Sequence, residues 1–391
     1  MMTRMNLART SALALVACAA LTLPAVADGI KRGGAITIGR ADEALTLDPF
    51  IPSDNGSIYA IAQICESLVS ADKDGTGLVP GLAKSWTKSD DGLTYTFMLR
   101  EGLKFSDGTP LSGADVTFSL TKVMDPAAAY GFAFDPVASV EALDDLTVKI
   151  TLKQPYSPIL SALSLFSASV VEKAAYEASP EKFGANPICT GPFKVDSFER
   201  GSQLVLVPNT YYWDKGEDGK PLPYVDKVIL RYMPDSNSRV LGLQNGDIDA
   251  ALALPFNQAQ SVKATDGLAL EVSPSYRLDY VYLNNTKKPL DDKRIRLALN
   301  YATNHEALMK AVYFGYGEVP NSFMPKVNYW SAKVEALPFD LTKAEALVKE
   351  AGYDGTLIQL MVDTGNAASR QAATILQSTW KKIGLNVEII E

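Results

Sequence analysis

The sequence is poorest in the residue types that build catalytic and metal centres. It has one histidine, His305, and three cysteines, Cys18, Cys65 and Cys189, among 391 residues. Any Ser-His-Asp or Cys-His arrangement would have to use His305, which lies at a predicted helix start where a capping or surface position is the ordinary role. No H-E-x-x-H, C-x-x-C, G-x-S-x-G or P-loop motif occurs. We therefore expect no catalytic residue, no cofactor and no metal site.

Positive charge and long apolar runs are also scarce. The chain has 37 Lys and Arg against 45 Asp and Glu, a net charge of −8, so an acidic surface without a basic run argues against nucleic acid as a partner. No internal run reaches the ~18 apolar residues that a membrane helix needs. We expect the mature protein to fold in water.

The amino terminus has the pattern of an export signal. Arg4 and Arg9 precede an apolar segment over 11–23, and the small residues at 25–27 (AVA) provide a cleavage site before Asp28. This predicts a periplasmic protein. A lipoprotein anchored through Cys18 of the run LVAC is the alternative, although the chain stays apolar beyond that cysteine.

Cys65 and Cys189 are the cysteines that remain after cleavage at this site. Export permits a disulfide, but two cysteines without a framework spacing give no pattern that predicts one. The sequence therefore favours two free thiols over a bond.

The stretch 78–125 carries the clearest local pattern. In the run 93–99 (LTYTFML) large apolar residues alternate with β-favouring ones, which predicts a half-buried strand. Ser112 and Asp115 have the spacing of a capping box, so a helix is predicted from that point.

Strand and helix patterns alternate along the rest of the chain and predict an α/β fold, and the length predicts two or more lobes. Further strands are predicted over 35–39, 146–152, 194–198, 203–207, 225–233, 278–285, 357–362 and 385–390. Further helices are predicted over 158–164, 170–178, 237–244 and 368–381, after a cap at Ser53 or Asp54, and after a cap at Asp291 or Asp292.

Several runs in this order closely resemble the signature of the family 5 extracellular solute-binding proteins, the peptide- and nickel-binding receptors of bacterial ABC importers. The runs are 81–86 (GLAKSW), 91–97 (DGLTYTF), 104–108 (KFSDG), 114–116 (ADV), 187–193 (PICTGPF), 209–213 (NTYYW), 245–249 (NGDID) and 287–303. In the run 187–193, Cys189 stands where the family's G-T-G-P motif usually has glycine. The turn must then form with a negative φ or with strain, which puts in doubt the ligand contacts implied at Thr190 and Gly191.

The resemblance implies a two-lobed periplasmic binding protein of type II, similar to cluster C, with mixed sheets and an extra subdomain in the first lobe. It implies a signal peptide at 1–27, the first lobe at 28–72 and 188–267, the extra subdomain at 73–187 and the second lobe at 268–391. Family members usually continue well beyond this length. We therefore expect an incomplete second lobe, with some ligand anchors beyond Glu391.

Ligand contacts are expected where strands end and where the chain crosses between lobes. Arg40 and Asp42 follow the first strand and Asn284 ends a later one, at the edge that faces ligands in open α/β sheets, with a solvated loop as the alternative. The rings of Tyr130 and Phe132 either line a pocket or pack between lobes. The expected ligand-binding residues are Arg40, Asp42, Tyr130, Phe132, Thr190, Gly191, Asn284, Asp363 and Thr364.

The resemblance implies a receptor rather than an enzyme. It would close around a short peptide by hinge motion, act as a monomer, and deliver the peptide in the closed form to an ABC permease with its ATPase subunits. The same receptor class with a nickel chelate, a sugar or an opine-like cargo is the alternative, although the lone histidine weakens direct nickel ligation. From another class, a secreted hydrolase with two carboxylates is the alternative.

Overall fold

The computed structural model describes residues 29–273, 275–320, 322–328, 331–332, 334–362 and 367–391, so the predicted signal at 1–27 lies outside the described residues. The strands are β1 (Ala35–Arg40), β2 (Val69–Ala71), β3 (Leu78–Pro80), β4 (Ala83–Lys88), β5 (Thr94–Leu99), β6 (Val137–Asp144), β7 (Thr147–Leu152), β8 (Phe193–Glu199), β9 (Gln203–Pro208), β10 (Lys227–Tyr232), β11 (Ala250–Ala251), β12 (Ile358–Met361) and β13 (Val387–Ile390). The α-helices are α1 (Asn55–Ile64), α2 (Gly113–Val123), α3 (Ile159–Ala162), α4 (Lys173–Ala178), α5 (Pro180–Phe183), α6 (Ser236–Asn245), α7 (Ala259–Lys263), α8 (Lys293–Tyr301), α9 (His305–Tyr313), α10 (Leu341–Glu350) and α11 (Ala367–Lys382). Short 3₁₀ segments are Gly131–Phe134, Phe166–Ala168 and Phe256–Gln258.

A mixed five-stranded sheet holds the first strand in its interior. Its order is β11-β1-β10-β9-β8, with β1 parallel to both of its neighbours and the β10, β9 and β8 strands antiparallel. Arg40 at the carboxyl end of β1 pairs with Tyr232 at the carboxyl end of β10. The parallel strands therefore end together at the edge where ligands are expected.

Gly39 shapes this edge of the sheet. A Cβ atom at this position would come within 2.6 Å of Ile248 Cδ1, so any larger residue would have to displace the end of the Ile248 side chain. This contact places the last residues of β1 against α6 and the turn that follows it.

A second sheet, with the order β4-β5-β7-β6, is antiparallel throughout. In β5 the residues Tyr95, Phe97 and Leu99 are buried while Met98 between them is exposed, which confirms the predicted alternation. The capping box that starts α2 is also confirmed, because the Ser112 backbone N–H donates to the Asp115 carboxylate at 2.9 Å.

Two apolar cores lie in different parts of the chain. The first contains α1, α2 and the inner faces of the two larger sheets, from Ala44 to Leu206. The second is built from α8, α10, α11 and the parallel pair β12 and β13. In the second core the Trp380 indole N–H donates to the Leu299 carbonyl at 3.1 Å and to the Thr303 hydroxyl at 3.2 Å. Among the described residues, no helix combines the length and apolar character needed to cross a membrane.

Residues 278–285 do not form the strand that the sequence predicted. Alternation is insufficient because a strand needs a hydrogen-bonded neighbour, and no named strand of the described residues pairs with this segment. The side chains of Tyr280 and Tyr282 are 58% and 82% exposed and their rings contact each other at 4.6 Å. Asn284 accepts hydrogen bonds from the backbone and hydroxyl of Thr286, which is turn chemistry.

The preference for free thiols is also wrong. Cys65 follows the last turn of α1 and forms a disulfide with Cys189, 124 residues away. A separation this long leaves no local sequence signal, and the bond becomes apparent only when the fold brings the two segments together.

We expect reduction of this disulfide to lower the free energy of unfolding of the first core by about 2–4 kcal/mol, because the bond closes a long loop in the unfolded chain. Urea unfolding with and without a reductant measures the difference. The Cys65→Ala/Cys189→Ala double variant is the control and should not respond to the reductant. Detection of both cysteines as free thiols in unreduced protein by mass spectrometry would contradict the assignment.

Candidate functional site

Residues 187–193, which we call the crossing turn, pack against the carboxyl end of α1. The Gly191 N–H donates to the Ile64 carbonyl at 2.8 Å, and a Cβ on Gly191 would lie 2.5 Å from the Ile64 carbonyl carbon and oxygen. The disulfide of Cys65 and Cys189 fastens the same contact. Asn209 holds the other side of the turn by donating to the Gly191 carbonyl at 2.9 Å. The backbone of Cys189 does not have a positive φ, so the turn forms without the glycine that the family motif usually has at this position.

A half-buried polar cluster lies beside this contact. Glu66 follows Cys65, and its carboxylate accepts hydrogen bonds from the Trp213 indole N–H at 3.1 and 3.2 Å and from the Tyr212 hydroxyl at 3.4 Å. Arg100 stacks its guanidinium on the Trp213 ring at 4.0 Å from the centroid. We call Glu66, Tyr212, Trp213 and the neighbouring Thr190 the Glu66 cluster.

The Glu66 cluster holds a carboxyl group that titrates near neutral pH. Burial raises the pKa of Glu66 from 4.5 to about 7, although the hydroxyl of Thr190 and the donors on Trp213 and Tyr212 favour the charged form. The Thr190 hydroxyl itself reaches no partner in hydrogen-bonding geometry among the described residues. Burial and the negative charge of Glu66 raise the pKa of Tyr212.

A narrow recess of about 20 Å³ lies at the carboxyl end of β1, and we call it the β1 recess. Its lining comes from Arg40 and residues 42–44, the end of β8, the start of β9 and the end of β10, and it includes the acids Asp42, Glu43 and Glu199. Arg40 and Asp42, both predicted ligand-binding residues, share this recess. Arg40 is only 6% exposed, and its guanidinium donates to the carbonyls of Asn55 and Gly56 at 3.3 and 3.4 Å.

The other predicted site residues that the structure describes lie outside the lining of the β1 recess. Tyr130 packs edge-on against Phe166 at 5.1 Å and contacts Phe132, whose side chain is 69% exposed. Thr190 and Gly191 are buried in the crossing turn, and Asn284 is exposed in its own turn. Asp363 and Thr364 lie outside the described residues. A ligand-binding role for each of these residues stays a prediction.

A larger recess of about 700 Å³ lies beside α9. His305 begins that helix, as expected, and lines the recess with Glu306, Lys310 and Phe339. Burial lowers the pKa of His305. Within the described ranges, no three or more His, Cys, Asp or Glu side chains come together in an arrangement that could hold a metal ion.

Sequence reasoning missed Glu66 and Arg239. Glu66 lies two residues beyond the end of α1, and its hydrogen-bond donors come from residues 212 and 213, so no local pattern marks it. Arg239 on α6 is 3% exposed and donates to the carbonyls of Met233, Pro234 and Ala253 at 2.6, 3.0 and 2.9 Å. Through these hydrogen bonds Arg239 connects the segment that follows β10 to the segment that follows β11, at the carboxyl edge of the sheet.

This chain is similar in sequence and in structure to known proteins. The model of the family described as "Bacterial extracellular solute-binding proteins, family 5 Middle" matches residues 77–391. The glutathione-binding protein GsiB of Escherichia coli (strain K12) is 33% identical over 348 residues, which are 88% of this chain and 67% of that protein.

Two solved structures are similar over nearly all of the chain. One is the ABC transporter-associated periplasmic binding protein DppA from Helicobacter pylori in complex with peptide STSA, with a TM-score of 0.81 and 29% identity over 92% of this chain and 74% of that one. The other is NikZ from Campylobacter jejuni in complex with Ni(L-His), with a TM-score of 0.80 and 28% identity over 91% and 73%.

We expect the Glu66→Gln variant to lose a pH dependence that the parent protein has. Between pH 4.5 and about 7 the folded state keeps a proton that the unfolded state releases, so the free energy of unfolding falls as the pH rises through this window. The loss is on the order of 3 kcal/mol at most. Urea unfolding from pH 5 to pH 8 measures it.

Glu177→Gln, which removes an exposed carboxylate on α4, is the control and should keep the parent profile. A parent profile identical to that of Glu66→Gln over the whole range would show that Glu66 stays charged in the folded protein.

Proposed function

We propose that this chain, which belongs to the bacterial extracellular solute-binding proteins of family 5, is the periplasmic receptor of an ABC importer and binds short peptides. The family match over residues 77–391 is the observation that carries the proposal. Members of this family are solute-binding receptors and not enzymes, which confirms the predicted class and the absence of a catalytic role. The predicted two-lobed α/β fold is also confirmed.

The proposed mechanism is hinge closure around the solute. Residues 28–72 and 188–267 supply the first lobe, 73–187 the extra subdomain and 268–391 the second lobe. The two apolar cores support the boundary between the first and second lobes, while one core runs through both the first lobe and the extra subdomain. The solute drives closure by binding the closed form more tightly than the open form.

Short peptides are the proposed cargo because the names of two similar proteins state a peptide ligand. GsiB is named for glutathione, a tripeptide, and the matched DppA structure contains the peptide STSA. Extended peptides present amide groups that pair with strand ends and with backbone in a cleft. Glutathione and small unmodified peptides are therefore the cargo to test.

A nickel chelate is the second candidate, and the Ni(L-His) complex of the matched NikZ structure favours it. Nickel accepts imidazole well, yet the single histidine of this chain, His305, is the first residue of α9 and does not line the β1 recess. A chelate would then have to bring its own nitrogen ligands.

The receptor's partners follow from the same proposal. In the closed form it docks on the membrane permease, which works with ATPase subunits, and it does so as a monomer. Export to the periplasm rests on the leader pattern, and anchoring through Cys18 is the alternative.

We expect glutathione, or a mixture of di- and tripeptides, to raise the melting temperature of the purified, dialysed protein. Binding to the folded state alone stabilises it by RT ln(1 + [L]/Kd), which is about 2.7 kcal/mol at a concentration of 100 Kd. Differential scanning fluorimetry measures the shift, and glucose and maltose are the controls.

A shift with a sugar or with nickel–histidine, and none with any peptide, would replace the proposed cargo. Release of amino acids from the peptides by pure protein, lost on substitution of two carboxylates, would support the hydrolase instead.

A further inference from the structure

Three aromatic rings and one amide connect the proposed first lobe to the proposed second lobe. The Phe256 ring packs edge-on against the Tyr313 ring, with centroids 5.3 Å apart, and stacks on the Tyr316 ring, with centroids 6.2 Å apart. The Gln260 side-chain amide donates to the Tyr316 hydroxyl at 3.2 Å. We call Phe256, Gln260, Tyr313 and Tyr316 the interlobe cluster.

Phe256 is held by the first lobe. It follows β11, which pairs with β1 in the five-stranded sheet. The Leu252 N–H donates to the Gly39 carbonyl at 3.1 Å, and the Ala253 carbonyl accepts a hydrogen bond from the Arg239 guanidinium at 2.9 Å. The segment that carries Phe256 is therefore tied to the carboxyl edge of this sheet.

Tyr313 is held by the second lobe, as the last residue of α9. Leu308 of that helix packs against the second core, and its Ala311 carbonyl accepts a hydrogen bond from the Gln371 side-chain amide of α11 at 3.1 Å. The Tyr313 hydroxyl donates to the Asp279 carboxylate at 2.7 Å. Asp279 lies where the chain enters the second lobe, so this segment and α9 are joined on the same side of the contact.

The contact between the lobes is confined to this place. Among the residues that the structure describes, no other ring contact or side-chain hydrogen bond links residues 29–267 to residues 268–391, and no salt bridge does so. Ala259 and Val262 on α7 and Val312 on α9 are buried neighbours of the cluster in the sequence, and none of them belongs to either core. The interlobe cluster is therefore separate from the packing that holds each lobe together.

These contacts suit a rotation between two bodies. An aromatic pair contributes about 0.5–1.5 kcal/mol beyond the area that it buries. Burial of apolar surface is non-directional, so rings can turn against each other and stay in contact. A contact on the axis of a hinge stays in place while the distant parts of the two lobes approach each other.

We propose that the interlobe cluster is the pivot of closure, and that the lobes rotate about Phe256 while its ring stays in contact with Tyr313 and Tyr316. The inference rests on the proposed function, because it locates the axis of the proposed hinge motion. The cluster acts on affinity without touching the solute. It limits the orientations that the lobes can adopt, so less freedom is lost when they close.

Distances between spin labels on the two lobes test the pivot without any solute. The labels are attached to Gln244→Cys on α6 and Glu345→Cys on α10, both exposed positions, in a Cys18→Ser background that leaves only the disulfide-bonded cysteines. Phe256→Ala is compared with the control Phe323→Ala, which removes a ring of the second lobe that is 80% exposed and lies outside the cluster. Double electron–electron resonance measures the distribution of distances.

We expect Phe256→Ala to broaden this distribution and Gln260→Ala, which removes an exposed amide and leaves the rings, to broaden it less. Phe323→Ala should keep the parent distribution. Calorimetric titration should show glutathione binding to Phe256→Ala about two- to thirtyfold more weakly than to the parent, the range that mutations in connecting contacts produce. The cause is that closure then has to order lobes that were freer before binding.

An unchanged distribution in both Phe256→Ala and Gln260→Ala would overturn the pivot, whether or not any solute binds. Tighter binding of glutathione by Phe256→Ala would also overturn it, because the contact would then hold the lobes apart. If no peptide binds the parent protein, the proposed cargo fails, and the distances still decide the pivot because they are measured without solute. The exposed Gln260→Ala change keeps the test in force if Phe256→Ala does not fold.

Discussion

The contact between Gly191 and the backbone of Ile64 is the constraint on which the first core depends. There is no room for a side chain at Gly191, and its N–H caps a carbonyl at the end of α1. Strand β8 begins two residues later, so this contact sets where the antiparallel half of the large sheet lies relative to α1. The Cys65–Cys189 disulfide fixes the same pair of segments covalently. The position of the sheet, and with it the end of β1, follows from this one close approach.

Two ionisable groups near this contact, Glu66 and Arg40, have different surroundings. Glu66 lies among donors on Tyr212 and Trp213 that come from the segment after β9, and its proton shifts with pH because burial opposes the charge. The guanidinium of Arg40 donates to the carbonyls of Asn55 and Gly56 and lies over the Tyr59 ring, with Asp42 and Asp54 close enough to act on its pKa. The carboxylate of Glu66 has its hydrogen-bond donors within the protein, which indicates a structural role. Arg40 is held by backbone carbonyls at the edge of the sheet without an ion pair among the described residues.

Local signals predicted local structure well. The alternation in β5, the Asp54 cap of α1 and the Ser112–Asp115 capping box each depend on residues within one turn or one strand, and each is confirmed. The Asp292 cap of α8 follows the same rule. Arg40 could be placed at the end of β1 for the same reason, since a strand pattern also fixes where the strand ends.

What depended on distant residues could not be predicted. The disulfide needs α1 and the crossing turn to meet across 124 residues, and no spacing rule encodes that meeting. Residues 278–285 have the alternation of a strand, but among the described residues no neighbouring strand forms backbone hydrogen bonds with them. Glu66 looked like an ordinary acid because the donors that surround it come from residues 212 and 213.

The central claim is that the protein encloses a small solute and releases it unchanged. Native mass spectrometry of the protein loaded with glutathione, followed by denaturation and analysis of the released solute, tests this claim most directly. The account predicts one solute per chain and recovery of the intact tripeptide. Recovery of cleaved or otherwise converted glutathione, in amounts that grow with incubation time, would contradict it.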